Sequence, residues 1–175
     1  MPHAAERTFV PVRIALLTVS DTRSLAEDRS GDLLQQRVTD AGHHLAARVL
    51  LRDDRAEIEA QLRAWVADHA VDVVICTGGT GLTGRDSTPE AFAAVIEKEI
   101  PGFGELFRWL SFAKIGTSTI QSRALGGLAS ATFLFALPGS TSACRDGWDE
   151  ILVHQLDART RPCNLIELMP RLLER

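Results

Sequence analysis

Residues 72–90, DVVICTGGTGLTGRDSTPE, decide the fold. A short apolar run rich in β-branched residues stops at Thr77-Gly78-Gly79-Thr80-Gly81, and Arg85, Asp86 and a Thr88-Pro89 pair follow. Such a run, bounded by glycine, reads as a strand buried on both faces, as in a parallel sheet. Glycine loses more backbone entropy on folding than any other residue. A tight turn accounts for one or two glycines, but Gly78, Gly79 and Gly81 fall within four positions and are flanked by threonines. A loop of this kind at a strand end can turn successive N–H groups inward as an anion nest. The expectation is a cradle for a phosphate or a pterin. The loop lacks the lysine of a G-x-x-x-x-G-K-[ST] phosphate loop and does not match G-x-G-x-x-G.

Three further apolar runs have the same buried character: Val12–Ser20, His44–Arg52 and Ala131–Ser140. Between the first two, Leu33, Leu34, Val38 and Ala41 recur at helical spacing and Gly42 supplies a stop. Asp54 and Glu57 have capping-box spacing. Ile58, Leu62, Trp65 and Val66 then form one apolar face, which predicts a helix over 55–69. Thr88 followed by Pro89 predicts a helix start and a helix over 89–100. Residues 101–112 read as a helix striped by Phe103, Leu106, Phe107 and Leu110. Residues 117–130 read as another, and 142–156 carry Ala143, Trp148, Ile151, Leu152 and Leu156 at roughly helical spacing. Strands alternating with helices imply an α/β fold, a single domain of three layers with a mostly parallel sheet flanked by helices. The expected organisation is a flexible arm over 1–11, one domain over 12–164 and a tail over 165–175.

With 175 residues, 45% hydrophobic and 24% charged, the composition is that of a globular domain. The net charge of −4 argues against a nucleic-acid partner, which ordinarily selects a basic surface. Cys76, Cys144 and Cys163 form no C-x-x-C pair, and no apolar run approaches a membrane span. The chain is therefore expected in the cytoplasm with reduced thiols. His43-His44 lacks partners at metal spacing and reads as an exposed pair. Cys76 reads as packing, and Trp65, Trp109 and Trp148 as core or interface.

Ligands of open α/β sheets sit beyond the carboxyl ends of the strands. The four runs end respectively in Ser20-Asp21, with Asp28, Ser30 and Gly31 beyond; in Asp53-Asp54; in the glycine loop with Asp86; and in Pro138-Gly139-Ser140. All four ends present small, hydroxyl or acidic residues. Asp54 is explained as a helix cap. Asp53 has no such assignment and can serve Mg²⁺, which takes one or two protein carboxylates and completes its shell with water and phosphate. Asp86 reads equally well as such a ligand or as a solvated acid before a helix N-terminus. Arg85 and Arg123 can each grip phosphate bidentately or simply sit on the surface.

Together, TGGTGLTGRDSTPEAF, the early SD…DRSG and the late LPGST resemble the MoaB/MogA family of molybdenum cofactor biosynthesis proteins over Val12–Asn164. The segments FGELFRWLSFAKIGTSTIQSRALGG and LDARTRPCN are similar to the MoaB branch in particular. The resemblance implies a molybdopterin-binding α/β fold assembled as homotrimers or homohexamers, with other cofactor-biosynthesis enzymes as possible partners. For the active relatives it implies adenylylation of molybdopterin by Mg-ATP; the alternative is a non-catalytic molybdopterin binder or scaffold. It assigns Asp53 and Asp86 to catalysis and Mg²⁺. The ligand-binding set it implies is Ser20, Asp21, Ser30, Gly31, Thr77, Gly78, Gly79, Thr80, Gly81, Ser122, Arg123, Pro138, Gly139 and Ser140. Arg52 and Gly84 stand where active relatives often carry proline.

Overall fold

The computed structural model describes residues 7–174. Its centre is a six-stranded sheet in the order β2-β1-β3-β6-β5-β4. The strands are β1 (Arg13–Val19), β2 (His44–Leu51), β3 (Val73–Thr77), β4 (Lys98–Glu99), β5 (Leu125–Ala129) and β6 (Thr132–Leu137). The four apolar runs form the parallel part, with β1 between β2 and β3, and β3 paired in turn with β6; β2 is an edge strand and, against the expectation, none of its residues is fully buried.

Alternate residues of these strands feed two cores. Ile14, Leu16, Val73, Ile75, Phe133 and Phe135 pack against α1 (Arg29–Asp40), α4 (Pro101–Ile115) and the last long helical segment. Ala15, Leu17, Val74, Cys76, Leu134 and Ala136 face α2 (Arg55–Ala67) and α3 (Thr88–Ala93). Period-two alternation between two apolar layers is what a sheet covered on both sides requires. The last helical segment begins as α5 (Thr141–Gly147), passes through a π-type turn at Trp148–Leu152 and ends in α6 (Val153–Gln155). Cys76 is buried in this packing, and burial raises its thiol pKa far above the usual range, so it stays protonated.

Several local expectations are corrected. Residues 117–130 are not a helix. A 3-10 turn covers Gly116–Gln121, and β5 then pairs antiparallel with β6. The glycines of β5 fit beneath neighbouring side chains: a Cβ on Gly127 would lie 2.5 Å from Ile96 Cδ1. The helix expected over 89–100 ends at Ala93, because Lys98–Glu99 turns out to pair with β5 as an edge strand. Its cap is Ser87 rather than Thr88, so Pro89 stands one position further into the first turn. Asp54 caps α2 by accepting from the N–H groups of Ala56 and Glu57. The reciprocal half of the box is not made, because the Asp54 N–H donates to Arg52 O.

Of the segment 1–11, residues 1–6 lie outside the described residues. Arg7 pairs with Glu167 at 2.6 Å, and Phe9 packs on His43 with 5.0 Å between ring centroids. Of 165–175, Ile166 is buried and opens a 3-10 turn over Ile166–Arg171. No helix among the described residues is long and apolar enough to cross a membrane.

His43 is buried rather than exposed, wedged between Phe9 and Trp148 with Nδ1 accepting from the Val12 N–H at 3.3 Å. Burial lowers its pKa below the ordinary 6.5, outweighing the attraction of Asp157. Below pH 6.5 the unfolded chain therefore takes up a proton here that the folded chain refuses, so stability falls as pH drops. Urea melts at pH 7.5 and 5.5 are expected to show this loss. In His43→Asn the loss should shrink by up to about 1.4 kcal/mol; an unchanged loss would remove His43 from the account.

Candidate functional site at the carboxyl edge of the sheet

A cleft of about 580 Å³ opens where β1, β3 and β6 end. Its floor is the glycine loop, between Val19-Ser20 and Pro138-Gly139-Ser140; α4, the 3-10 turn behind it and α5 form the far wall. Concave sites of this size accommodate small organic ligands.

The floor explains its own composition. Gly78 has φ +98°, and a Cβ there would lie 2.1 Å from Val19 O. Its N–H continues the β3–β6 ladder by donating to Leu137 O at 3.1 Å. Gly79 has φ +64°, and a Cβ would meet Thr88 Oγ1 at 2.3 Å and Asp53 Oδ2 at 2.6 Å. Both backbone sign and space therefore demand glycine. The N–H groups of Gly79, Thr80, Gly139 and Ser140 make no hydrogen bond to another described residue. They remain without a partner on residues that line the cleft.

Side chains fix the loop from outside. Arg123 donates through Nε to Gly81 O at 2.9 Å and through Nη2 to Asp86 O at 3.1 Å, and it pairs with Glu90. It is thus a clamp on the loop and does not line the cleft, whereas Ser122 beside it does. Thr77 Oγ1 ties β3 to β6 by donating to Pro138 O at 3.0 Å. Ser30 Oγ and Arg23 Nη1 both donate to Gly139 O, at 2.9 and 3.3 Å. Ser140 caps α5, its Oγ accepting from the Ala143 N–H at 3.2 Å.

The acidic positions divide. Asp86 lines the cleft and accepts from Thr83 Oγ1 at 2.6 Å and Thr83 N–H at 2.9 Å. These bonds hold its carboxyl below the usual range, so it is ionised at neutral pH. Asp53 does not line the cleft. Its Oδ1 accepts from the Ser87 hydroxyl at 2.6 Å and N–H at 3.0 Å, while Oδ2 reaches Gly79. Asp21 accepts from the Asp53 N–H at 3.1 Å and takes a bidentate guanidinium from Arg85, which lowers its pKa. Asp28, Ser30 and Gly31 belong to the start of α1. There the buried Asp28 accepts from Thr18 Oγ1, Arg48 and the Gly31 N–H at 2.7, 2.9 and 2.9 Å.

Sequence reading missed the far wall. Ser111, Lys114 and Ser118 of α4 and its following turn line the cleft, and Lys114 Nζ meets Asp146 Oδ1 of α5 at 2.6 Å. The signal was slight: Ser111 and Lys114 stand three residues apart near the end of a largely apolar helix, and Ser118 follows four residues later in the next turn.

No group of three or more His, Cys, Asp or Glu among the described residues could hold a metal by itself. The donor set fits Mg²⁺ of the kind that relies on one or two carboxylates and on ligand phosphates. Thr88 Oγ1, buried without a hydrogen-bond partner, and Asp53 Oδ2 both point at Gly79, beside the loop that carries Asp86.

A family model described as "Probable molybdopterin binding domain" matches residues 15–158. The protein of Escherichia coli K12 named molybdenum cofactor biosynthesis protein B is 53% identical over 156 residues, 89% of this chain and 92% of that one. A crystal structure of a molybdenum cofactor biosynthesis protein B has a TM-score of 0.86 at 36% identity, covering 97% of this chain and all of the other. The tungsten cofactor synthesizing protein MoaB of Pyrococcus furiosus has a TM-score of 0.72 at 33% identity over 85% of this chain and 98% of its own. The chain belongs to the MoaB/MogA family of molybdenum cofactor biosynthesis proteins, a molybdopterin-binding family. Within that family its likeness is to the proteins named molybdenum cofactor biosynthesis protein B.

The loop geometry sets one expectation. Gly79→Ala forces a side chain into a positive-φ position already occupied by Thr88 and Asp53. It should lower stability by about 1–3 kcal/mol in denaturant melts. Gly84→Ala, with nothing within 4 Å of its Cβ, should change it by less than about 0.5 kcal/mol. Equal effects would show that the loop is not under this constraint.

Proposed function

We propose that the cleft binds molybdopterin with its terminal phosphate on the glycine loop, and that the protein adenylylates that phosphate with Mg-ATP. The observation that carries the reading is the set of free N–H groups of Gly79, Thr80, Gly139 and Ser140 on the floor of one cleft. Amides without a partner in the protein, gathered on adjoining loops of one cleft, suit phosphate oxygens.

In the reaction, an oxygen of the terminal phosphate attacks the α-phosphorus of ATP. A P–O bond forms there as the bond to the bridging oxygen of the β-phosphate breaks. That electron pair leaves with pyrophosphate, and the product is molybdopterin joined to AMP through a phosphoanhydride. Negative charge develops on the non-bridging oxygens, where fixed amides stabilise it without reorganising. Mg²⁺ would neutralise phosphate charge, and Asp86 and Asp53 are the carboxylates that would hold it. Ser140 and Ser122 add hydroxyl donors at the two ends of the floor. Asp53 has a second duty, since its bonds to Ser87 hold the segment that carries Asp86.

A second reading, a molybdopterin carrier without turnover, is favoured by one observation: Asp53 does not line the cleft, and one of its oxygens is committed to Ser87. The two readings separate on incubation with molybdopterin, ATP and Mg²⁺, followed by pyrophosphate and adenylylated product. The catalytic reading expects both products, and a loss of at least about 100-fold in Asp86→Asn with molybdopterin binding retained. Saturable binding without product, unaffected by Asp86→Asn, would establish the carrier instead.

The assembly proposed with this reading is a homotrimer or homohexamer. Its support is the apolar stripe of Trp109, Phe112 and Ile115 on α4, joined by Ile120, which are 71%, 57%, 54% and 83% exposed. Large apolar side chains exposed in this number along one short segment mark association. Light scattering at micromolar concentration should give three or six times the chain mass; a monomer would contradict it.

A further inference from the structure

Beside the cleft lies a second concavity of about 690 Å³, whose lining includes Thr22, Arg23, Glu27, Arg29, Ser140 and Thr141. Arg23 and Ser140 line both spaces, so the two are adjoining lobes of one edge of the sheet. The wall of this side lobe carries two arginines against one carboxylate. Its own acid, Glu27, is turned back on Ser24, accepting from that residue's N–H at 3.2 Å and hydroxyl at 3.0 Å, which holds its carboxyl below the usual range. The acids flanking Arg29 are committed to Arg48, Asp28 at 2.9 Å and Asp32 at 2.7 Å. Arg29 thus has no carboxylate partner among the described residues, and Arg23 reaches only the Gly139 carbonyl at 3.3 Å. Two arginines without a carboxylate partner among the described residues thus line one concavity, together with Thr22, Ser140 and Thr141.

We infer that this side lobe is an oligophosphate subsite, which takes the β- and γ-phosphates of a nucleoside triphosphate and holds them as pyrophosphate after transfer. Guanidinium groups match phosphate oxygens two at a time and stay charged at every working pH. Hydroxyl side chains supply the remaining donors. A diphosphate offers two arginines more charge and more acceptor oxygens than a single phosphate does. The shared Ser140 and Arg23 put the junction of the two lobes where the α-phosphorus would lie. The inference deepens the adenylylation reading and names Arg23 and Arg29 as residues that position the leaving group.

Calorimetric titration of the purified full-length protein with inorganic pyrophosphate tests the lobe without any turnover. Saturable binding is expected, at least about tenfold tighter than inorganic phosphate and weakening as salt rises. Arg29→Ala and Arg23→Ala should each lower pyrophosphate affinity about tenfold, with thermal melts and molybdopterin binding unchanged for Arg29→Ala. Arg29→Lys should restore part of the affinity, as charge without the bidentate fork. Absence of pyrophosphate binding, or equal affinity in wild type and Arg29→Ala, overturns the subsite whatever the adenylyl-transfer assay gives. Arginine-dependent pyrophosphate binding in a protein that makes no adenylylated product supports the subsite and removes the adenylylation reading alone.

Discussion

The carboxyl edge of the sheet depends on one close approach, that of Gly78 to the ends of both neighbouring strands. Its α-carbon faces Val19 O, where a Cβ would stand at 2.1 Å, and on its other side a Cβ on Gly139 would stand 3.2 Å from it. The three strand ends therefore converge without side chains between them, and the chain leaves β3 in a positive-φ turn that only glycine enters cheaply. From that turn follow the free amides of Gly79 and Thr80, the seat of Arg123 on the loop carbonyls, and the placing of Asp86 at the cleft.

Around this point the fold uses charge mainly to hold backbone. Arg48 meets the fully buried Asp28, which also takes the Thr18 hydroxyl and caps α1 through the Gly31 N–H. Such a pair stabilises only while complete, since a lone buried carboxylate is expensive. Arg123 and Arg85 act similarly further out, one on loop carbonyls and the other on Asp21. With those cations committed to the protein, and Lys114 paired with Asp146, the donors that remain for a ligand are amides, hydroxyls and the arginines of the side lobe. An acidic protein can thus present a local anion seat without a basic surface.

The parallel half of the sheet was legible because Arg13–Val19, Val73–Thr77 and Thr132–Leu137 are apolar on both faces and stop at small residues. The antiparallel edge was not. β5 reads LGGLA and β4 is two charged residues; neither has a strand's composition, and tertiary packing under Ile96 and Phe135 decides both. At the site, the glycine loop, Asp86, Ser122 and the Pro138–Ser140 turn were legible as a motif, and all of them line the cleft. Asp53, Asp21 and Arg123 carry the same family signature, yet their side chains hold the loop instead of facing the cleft, a difference of direction that no linear pattern records. Lys114 and Asp146 escaped for the converse reason: each is an ordinary helix residue until α4 and α5 face each other.

The central claim is that the free amides of the glycine loop and of the Gly139-Ser140 turn are the phosphate seat of a molybdopterin site. A crystal structure of the protein with molybdopterin tests it most directly. The account predicts the terminal phosphate within hydrogen-bond distance of the Gly79, Thr80 and Ser140 N–H groups, and the pterin against the α4 wall near Ser111 and Lys114. Molybdopterin bound elsewhere, or in the cleft with its phosphate turned to solvent and those amides unengaged, would contradict it.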